Sequence, residues 1–318
     1  MKSPFPYFGG KARIASEVWR RFGNVRNYVE PFAGSLAVLL NARWPSPRIE
    51  TVNDLDGWLS NFWRALSRDP EAVAKWADYP VSELDLHARG DWLFYRDGAA
   101  EFIERLRSDP DYFCAKSAGW WVWGLCSWIG SGWGPMMRDQ GKERQRPHLG
   151  TWGADGGNQG IHRERSRDTL TEYLSELGER MRRVRICCGD WSRVCGPSVT
   201  FKHGLTGVFL DPPYATEDRH ECYVENSFGV AHEVREWCRE NGDNREMRIA
   251  LCGYEGEHNS LESEGWLSHS WKARGGFDGQ NKDRDNDNRT LERCWFSPHC
   301  LVNQRTLFSS PMLAETLT

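Results

Sequence analysis

The residues best suited to chemistry are Asp211-Pro212-Pro213-Tyr214, which directly follow the apolar run Val208-Phe209-Leu210. A buried strand ending this way sets a carboxylate at its carboxyl end, where ligands sit in open parallel sheets. Two prolines stiffen the backbone and remove two N–H donors, so carbonyl oxygens and the Asp211 carboxylate are left as acceptors. Such a set suits an exocyclic amine on a nucleobase. That amine is a poor nucleophile because its lone pair is delocalised into the ring. Accepting both of its N–H groups at Asp211 and the Pro212 carbonyl favours a tetrahedral nitrogen with a usable lone pair. Tyr214 offers an aromatic face on which an extruded base can stack. On the tetrapeptide alone, a Pro-Pro loop with Asp211 as a helix cap accounts for the residues equally well.

Two further groups carry related chemistry. Glu30-Pro31-Phe32-Ala33-Gly34 reads as a strand turning tightly through glycine into a helix over Leu36 to Ala42. That geometry brings backbone amides and a helix N-terminus close to a ligand. Asp54, at the end of the next strand, is placed to bind the two hydroxyls of a ribose. Each is weak alone; in order, on successive strands, they describe a nucleoside-cofactor pocket. The N-terminal Phe5-Pro6-Tyr7-Phe8-Gly9-Gly10-Lys11 is not a P-loop, because Lys11 is followed by Ala12 and GxxxxGK[ST] is absent. Kinase and ATPase chemistry are disfavoured.

The elements that position these residues read as follows. Strands at Asn27 to Glu30 and Ile49 to Val52 alternate with helices, the second presenting Trp58, Leu59, Phe62, Trp63 and Leu66 on one face. This β-α-β-α pattern implies a parallel sheet covered by helices. From Asp69 to Arg183 strand patterns vanish. Helical segments (Ala99 to Leu106, Leu170 to Arg182) take over, Trp and Gly crowd between Trp120 and Gly134, and Gly150 to Gly160 reads as a mobile loop. Trp in such runs fills cores more often than it stacks on bases. The α/β pattern resumes with strands at Val184 to Cys188, Gly207 to Leu210, Arg248 to Cys252 and Leu291 to Phe296, and a helix over His232 to Asn241. Arg274 to Asn288, rich in Gly, Asp and Asn, reads as a hairpin tip or disordered segment. His258 and His299 read as surface or satisfied residues rather than acid–base groups.

Composition narrows the classes. With 318 residues, 39% hydrophobic and 27% charged, the chain has the balance of a soluble globular protein. No run is long enough to span a bilayer and the N-terminal residues lack a signal peptide's apolar stretch, so a cytoplasmic location, bacterial or in a phage-infected host, is expected. Ten scattered cysteines form no disulfide framework. His220-Glu221-Cys222 and Cys294 with His299 and Cys300 hold potential ligands, but no CxxC pair exists and no metal is expected. A net charge of −4 excludes a general polycation but allows a local basic face. Arg138, Lys142, Arg144 and Arg146, followed by Arg163, Arg165 and Arg167, are candidates for DNA contact or a solvated loop.

Taken in order, Tyr7-Phe8-Gly9-Gly10-Lys11, Glu30-Pro31-Phe32-Ala33-Gly34, Asn53-Asp54, Cys188-Gly189-Asp190-Trp191 and Asp211-Pro212-Pro213-Tyr214 resemble the motifs of the D12 (alpha-type) class of DNA adenine methylases. The resemblance covers residues 4–66 and 184–255. It implies a Rossmann-like sheet that uses S-adenosylmethionine, with a mainly helical target-recognition module inserted before the catalytic motif. The catalytic domain would comprise residues 1–68 and 184–318, and the module 69–183, where the composition shifts independently. It further implies that Tyr7, Gly9, Gly10 and Lys11 border the cofactor, with Lys11 near the catalytic pocket or the DNA. Glu30, Pro31, Phe32, Ala33 and Gly34 would line its methionine end, and Asp54 would hold the ribose. Asp190 would lie at the adenine ring with Trp191 beside it, and Asp211, Pro212, Pro213 and Tyr214 would hold the target base. DNA is the implied partner of a monomer or weak dimer, in a phage or restriction–modification setting. The expected reaction is methylation of adenine N6 on a flipped base. In-line approach of nitrogen, methyl carbon and sulfur is the main catalytic contribution, and no strong base is required. Cytosine N4 methylation and a catalytically silent nucleic-acid-binding relative are the alternatives. The silent relative draws on one departure: the family's glycine turn has a second Gly where this chain has Leu36.

Overall fold

The structure, a computed structural model, describes residues 1–7, 11–43, 48–128, 133–135, 146–147, 160–163, 166–214, 224–271 and 292–302, the backbone alone over 224–228. Seven strands form one sheet: β1 (Asn27–Glu30), β2 (Ile49–Asp54), β3 (Val184–Cys188), β4 (Thr206–Leu210), β5 (Met247–Tyr254), β6 (Leu267–Ser270) and β7 (Glu292–Phe296). Their order is β3-β2-β1-β4-β5-β7-β6. The first five run parallel, while β7 pairs antiparallel with both β5 and β6. This is a mixed α/β fold with a mostly parallel sheet, consistent with a Rossmann-like architecture. The strand order reverses between β1 and β4, which pair through Val29 and Val208. A crevice outside the carboxyl ends of two such strands is the usual ligand position in this class of sheet.

Central strands β1 and β4 are buried along their whole length, as strands covered on both faces must be. Alternation then sorts side chains between two cores. Tyr28, Phe209, Ala250 and Cys252 face one cluster; Val29, Val208, Leu210, Ile249 and Leu251 face the other. The first cluster is the larger, covered by α1 (Ala15–Phe22), α2 (Gly57–Arg68), α3 (Pro70–Ala77), α6 (Ala115–Ser127) and α7 (Arg167–Met181). The second is covered by α8 (Val224–Asn241). Among the described residues, α4 (Glu83–Gly90) and α5 (Ala99–Ser108) complete the α-helices, six of which (α2 to α7) fall between β2 and β3.

Local chemistry explains the helix boundaries. Asp56 caps α2 by accepting from the Trp58 amide at 2.8 Å, and Asp69 caps α3 by accepting from the Ala72 amide at 3.0 Å. Each cap contributes about 1 kcal/mol. The Trp- and Gly-rich run becomes α6. Trp121 and Trp123 are fully buried, while Gly119 and Gly124 are notches, the first against Trp76 and the second against the Trp133 indole. Only glycine fits where the backbone of α3, at Gly119, or an indole ring, at Gly124, comes so close to the helix. The expectation of core packing for these tryptophans holds, and truncating one to Ala would cost about 3–5 kcal/mol.

The structure differs from the sequence reading at identifiable points. No α-helix runs from Leu36 to Ala42; that stretch is turns and a single 3-10 turn, Leu39–Asn41. Leu36, with a φ of 56°, is left-handed and Ala42, with a ψ of 150°, is extended, so too few residues remain between them for an α-helix. Helices α1, α3 and α4 and strand β6 were not anticipated, and α8 begins earlier than His232. The loops read at Gly150 to Gly160 and Arg274 to Asn288 lie outside the described residues, apart from Gly160. No described helix is long and apolar enough to cross a membrane.

Candidate active site

Asp211 leaves the end of β4 beside the end of β1, so the tetrapeptide stands at the point where strand order reverses. Its carboxylate is held from two directions. The Lys11 ammonium lies 3.0 Å from Oδ1, and the Tyr214 hydroxyl donates to the same oxygen at 3.0 Å. Among the described residues Oδ2 takes no hydrogen bond. Lys11 is 4% exposed and Asp211 19%, so the pair is screened from bulk water but open on one side. Burial alone would lower the Lys11 pKa, but the charges of Asp211, Cys252 and Glu292 push it up, so the ammonium stays charged. Burial raises the Asp211 carboxyl above its ordinary value, against the pull of Lys11 and Tyr214.

Tyr214 is not an open platform. It is 5% exposed, its ring meets Tyr254 edge-on at 4.7 Å, and the Lys11 ammonium lies 5.1 Å from the ring centre. Pro212 is buried and Pro213 exposed. At the neighbouring end of β1, Glu30 is buried and accepts from the Tyr28 hydroxyl at 2.8 Å. Burial pushes its pKa up to about 8, the Tyr28 bond opposing and the Asp211 charge adding. Glu30 therefore rests as a neutral acid near pH 7.

The turn after β1 is laced to the neighbouring strands. The Ala33 amide donates to the Asn53 carbonyl at 2.9 Å and the Gly34 amide to Asp54 Oδ2 at 2.9 Å. Asp54 Oδ1 accepts from the Asp56 amide at 3.1 Å. The Asn53 side-chain amide donates to the Pro31 carbonyl at 3.0 Å and to the Gly189 carbonyl at 2.9 Å, joining the loops that follow β1 and β3. Phe32 and Trp191 stack with centroids 6.1 Å apart, and exposed Asp190 accepts from the Ser192 amide at 2.9 Å. Gly34 has a φ of 45°, and a Cβ there would stand 2.7 Å from the Tyr7 ring. Glycine is required on both counts.

Of the residues singled out from sequence, Lys11 joins Asp211 and Tyr214, while Pro31, Phe32, Ala33, Gly34, Asp54, Asp190 and Trp191 gather beyond β1, β2 and β3. Tyr7 packs on Gly34. Gly9 and Gly10 lie outside the described residues, as do Arg138, Lys142 and Arg144; Arg146 is exposed. His258 is not a surface residue. It is fully buried edge-on to Trp295 at 5.1 Å, with burial lowering its pKa to about 4. Sequence reasoning passed over the site roles of Asn53, Tyr28 and Glu292. Asn53 sat inside a recognised motif; Glu292 was detectable only as a carboxylate at the start of a strand. Among the described residues no group of three His, Cys, Asp or Glu could hold a metal ion.

Comparison with curated proteins finds no match. Comparison with protein families does. The matched segment spans β1, the laced turn, β2 and helices α2 to α5, running past residue 68, and Cys188 to Trp191 and Asp211 to Tyr214 lie beyond it. Residues 7–110 match the family of D12 class N6 adenine-specific DNA methyltransferases, an activity that implies S-adenosylmethionine as methyl donor and adenine in DNA as acceptor.

Proposed function

We infer that this protein transfers a methyl group from S-adenosylmethionine to N6 of adenine in DNA, acting on a base flipped out of the duplex. The observation that carries the reading is the position of Asp211-Pro212-Pro213-Tyr214 at the strand-order reversal, with Lys11 from the family-matched segment bonded to Asp211. The donor set fits a positively charged nucleoside. Asp54 ends β2 and Asp190 lies just beyond β3, neutral Glu30 ends β1 as a hydrogen-bonding acid, and Phe32 with Trp191 forms an aromatic wall. In this reading Glu30 and the Pro31-to-Gly34 turn hold the methionine end, Asp54 the ribose, and Asp190 with Trp191 the adenine ring.

The cofactor supplies a methyl group on a sulfonium, already a good leaving group. The chain's own contribution is orientation and charge. Asp211 and the Pro212 carbonyl accept the two N–H groups of the target amine, which turns its lone pair toward the methyl carbon. Lys11 opposes the rise that burial gives the Asp211 pKa, which favours the ionised, accepting carboxylate. The helices between β2 and β3, as a module over residues 69–183, would read the target sequence, and Arg138, Lys142, Arg144 and Arg146 would supply phosphate contacts.

The test is nucleoside analysis. DNA free of modified bases is incubated with the protein and S-adenosylmethionine, digested, and resolved by liquid chromatography with mass spectrometry. N6-methyladenine is the expected product. N4-methylcytosine in its place, or no methylated nucleoside at saturating cofactor, would overturn the reading.

A further inference from the structure

Glu292 opens β7, is 7% exposed, and among the described residues its carboxylate takes neither a hydrogen bond nor an ion pair. A carboxylate on so buried a residue, without a partner among the described residues, calls for a working role. Its position supplies one. In the antiparallel β5–β7 pair, Glu292 stands opposite Tyr254 and Cys294 opposite Cys252, so all four share one face of the sheet. Tyr254 is the residue whose ring meets Tyr214 at 4.7 Å. The Lys11 ammonium feels the charges of both Asp211 and Glu292, and it is bonded to Asp211. The buried Lys11 ammonium is thus paired with Asp211 while the charge of Glu292 also bears on it.

The resting arrangement conflicts with the work proposed for it. Asp211 Oδ1 already accepts from Lys11 and from Tyr214, and the Tyr214 ring is covered by Tyr254 and Lys11. A base stacked on the Tyr214 ring, with its amine on Asp211, meets the ammonium that lies over that ring and displaces it. An ammonium displaced inside a protein with no carboxylate to receive it is strongly unfavourable. We propose that Glu292 is a positioning residue that receives the Lys11 ammonium when the target base engages Asp211. The proposal rests on the methyl-transfer reading above. The exchange keeps one ion pair at every stage and leaves the net charge of the cluster unchanged, so the pocket opens without stranding a charge. The groups that face this exchange are Asp211, Tyr214, Cys252 and Glu292, with Glu30 beyond Asp211.

The experiment is single-turnover methyl transfer from labelled S-adenosylmethionine to unmodified duplex DNA, for the full chain and its variants. Glu292→Gln keeps the shape and removes the receiving charge. Its single-turnover rate is expected to fall ten-fold or more, with cofactor affinity by calorimetry within two-fold of the parent. Glu292→Asp, which keeps the charge but shortens the reach, is expected to fall between the two; if the Gln variant does not fold, a three-fold loss in the Asp variant carries the test. Because Glu292 acts through Lys11, Glu292→Gln should have no further effect in a Lys11→Met background. The acid limb of the rate profile should move to lower pH in Glu292→Gln, since one of two carboxyls sharing Lys11 is gone. An unchanged rate and pH profile in Glu292→Gln, with only thermal stability altered, would overturn the proposal and leave the methyl-transfer reading standing. Absence of methyl transfer by the parent protein would overturn both.

Discussion

Leu36 makes the tightest prediction about the turn that follows β1. The perturbation is a pair of substitutions, Leu36→Ala and Leu36→Gly. The side chain is fully buried, so both variants lose its packing, about 2–5 kcal/mol for a core Leu reduced to Ala. At an ordinary position Gly would be the worse of the two by about 0.5–1 kcal/mol, because it loses more backbone freedom on folding. Here φ is 56°, where a Cβ costs about 1–2 kcal/mol and glycine is free of that cost. The order should therefore invert, with Leu36→Gly more stable than Leu36→Ala by about 0.5–1 kcal/mol, the second figure less the first. Urea denaturation of both variants, followed by tryptophan fluorescence and compared at equal slope, measures the difference. The usual order, Ala above Gly, would refute the left-handed leucine and with it the explanation for the missing helix over residues 36–42. The parent residue reads as packing retained at the expense of backbone strain, in a turn where the family pattern has glycine.

Further outcomes are expected. Asp211→Ala should lower turnover at least about a hundred-fold while cofactor affinity stays within a few-fold, whereas Asp54→Ala, which removes the acceptor for the Gly34 and Asp56 amides, should weaken cofactor binding first; calorimetry and turnover failing equally in both would contradict this division. Gly34→Ala should destabilise the fold by about 1–2 kcal/mol and weaken cofactor binding, since the new Cβ meets the Tyr7 ring at a left-handed φ, and a neutral effect on both would be inconsistent with the packing described. Glu30 has a folded pKa raised to about 8, so its contribution to stability is full below its unfolded value and is lost as pH rises through 8. Glu30→Gln should flatten that decline, which chemical denaturation across pH 5 to 9 would reveal; parallel profiles for the two proteins would count against a buried neutral acid. Removing the basic residues at 138, 142, 144 and 146 should lower DNA affinity and reduce its salt dependence, measured by fluorescence anisotropy, and unchanged binding would assign that run to solvent.

The parts of the fold legible in the sequence are those where one interaction dominates. Strand β4 is a short apolar run leading straight into Asp211, and burial on both faces leaves little else for such a run to do. The Trp-rich run was readable as core but not as a helix, because α6 is apolar nearly all round and has no periodic polar face to reveal its pitch. Leu36 defeated local reasoning because its left-handed backbone is set by the packing of a buried side chain and not by residue preference. At the site, motif spacing brought out Asp211, Glu30 and Asp54, but Tyr254 and Glu292 come from strands far along the chain. Only the β5–β7 register brings them to the Lys11 cluster. The closed state of Tyr214 was equally hidden, since a sequence carries an aromatic residue without saying which neighbours cover its ring.

The central claim is that the acceptors at the end of β4 hold the target amine by its own hydrogens. A structure of the protein with duplex DNA and a non-reactive analogue of S-adenosylmethionine tests it most directly. The expected result is an extruded adenine with its exocyclic nitrogen within hydrogen-bond distance of Asp211 and the Pro212 carbonyl, and Lys11 moved off Asp211. An extruded base seated elsewhere, with Lys11 and Tyr214 still closed on Asp211, would contradict it.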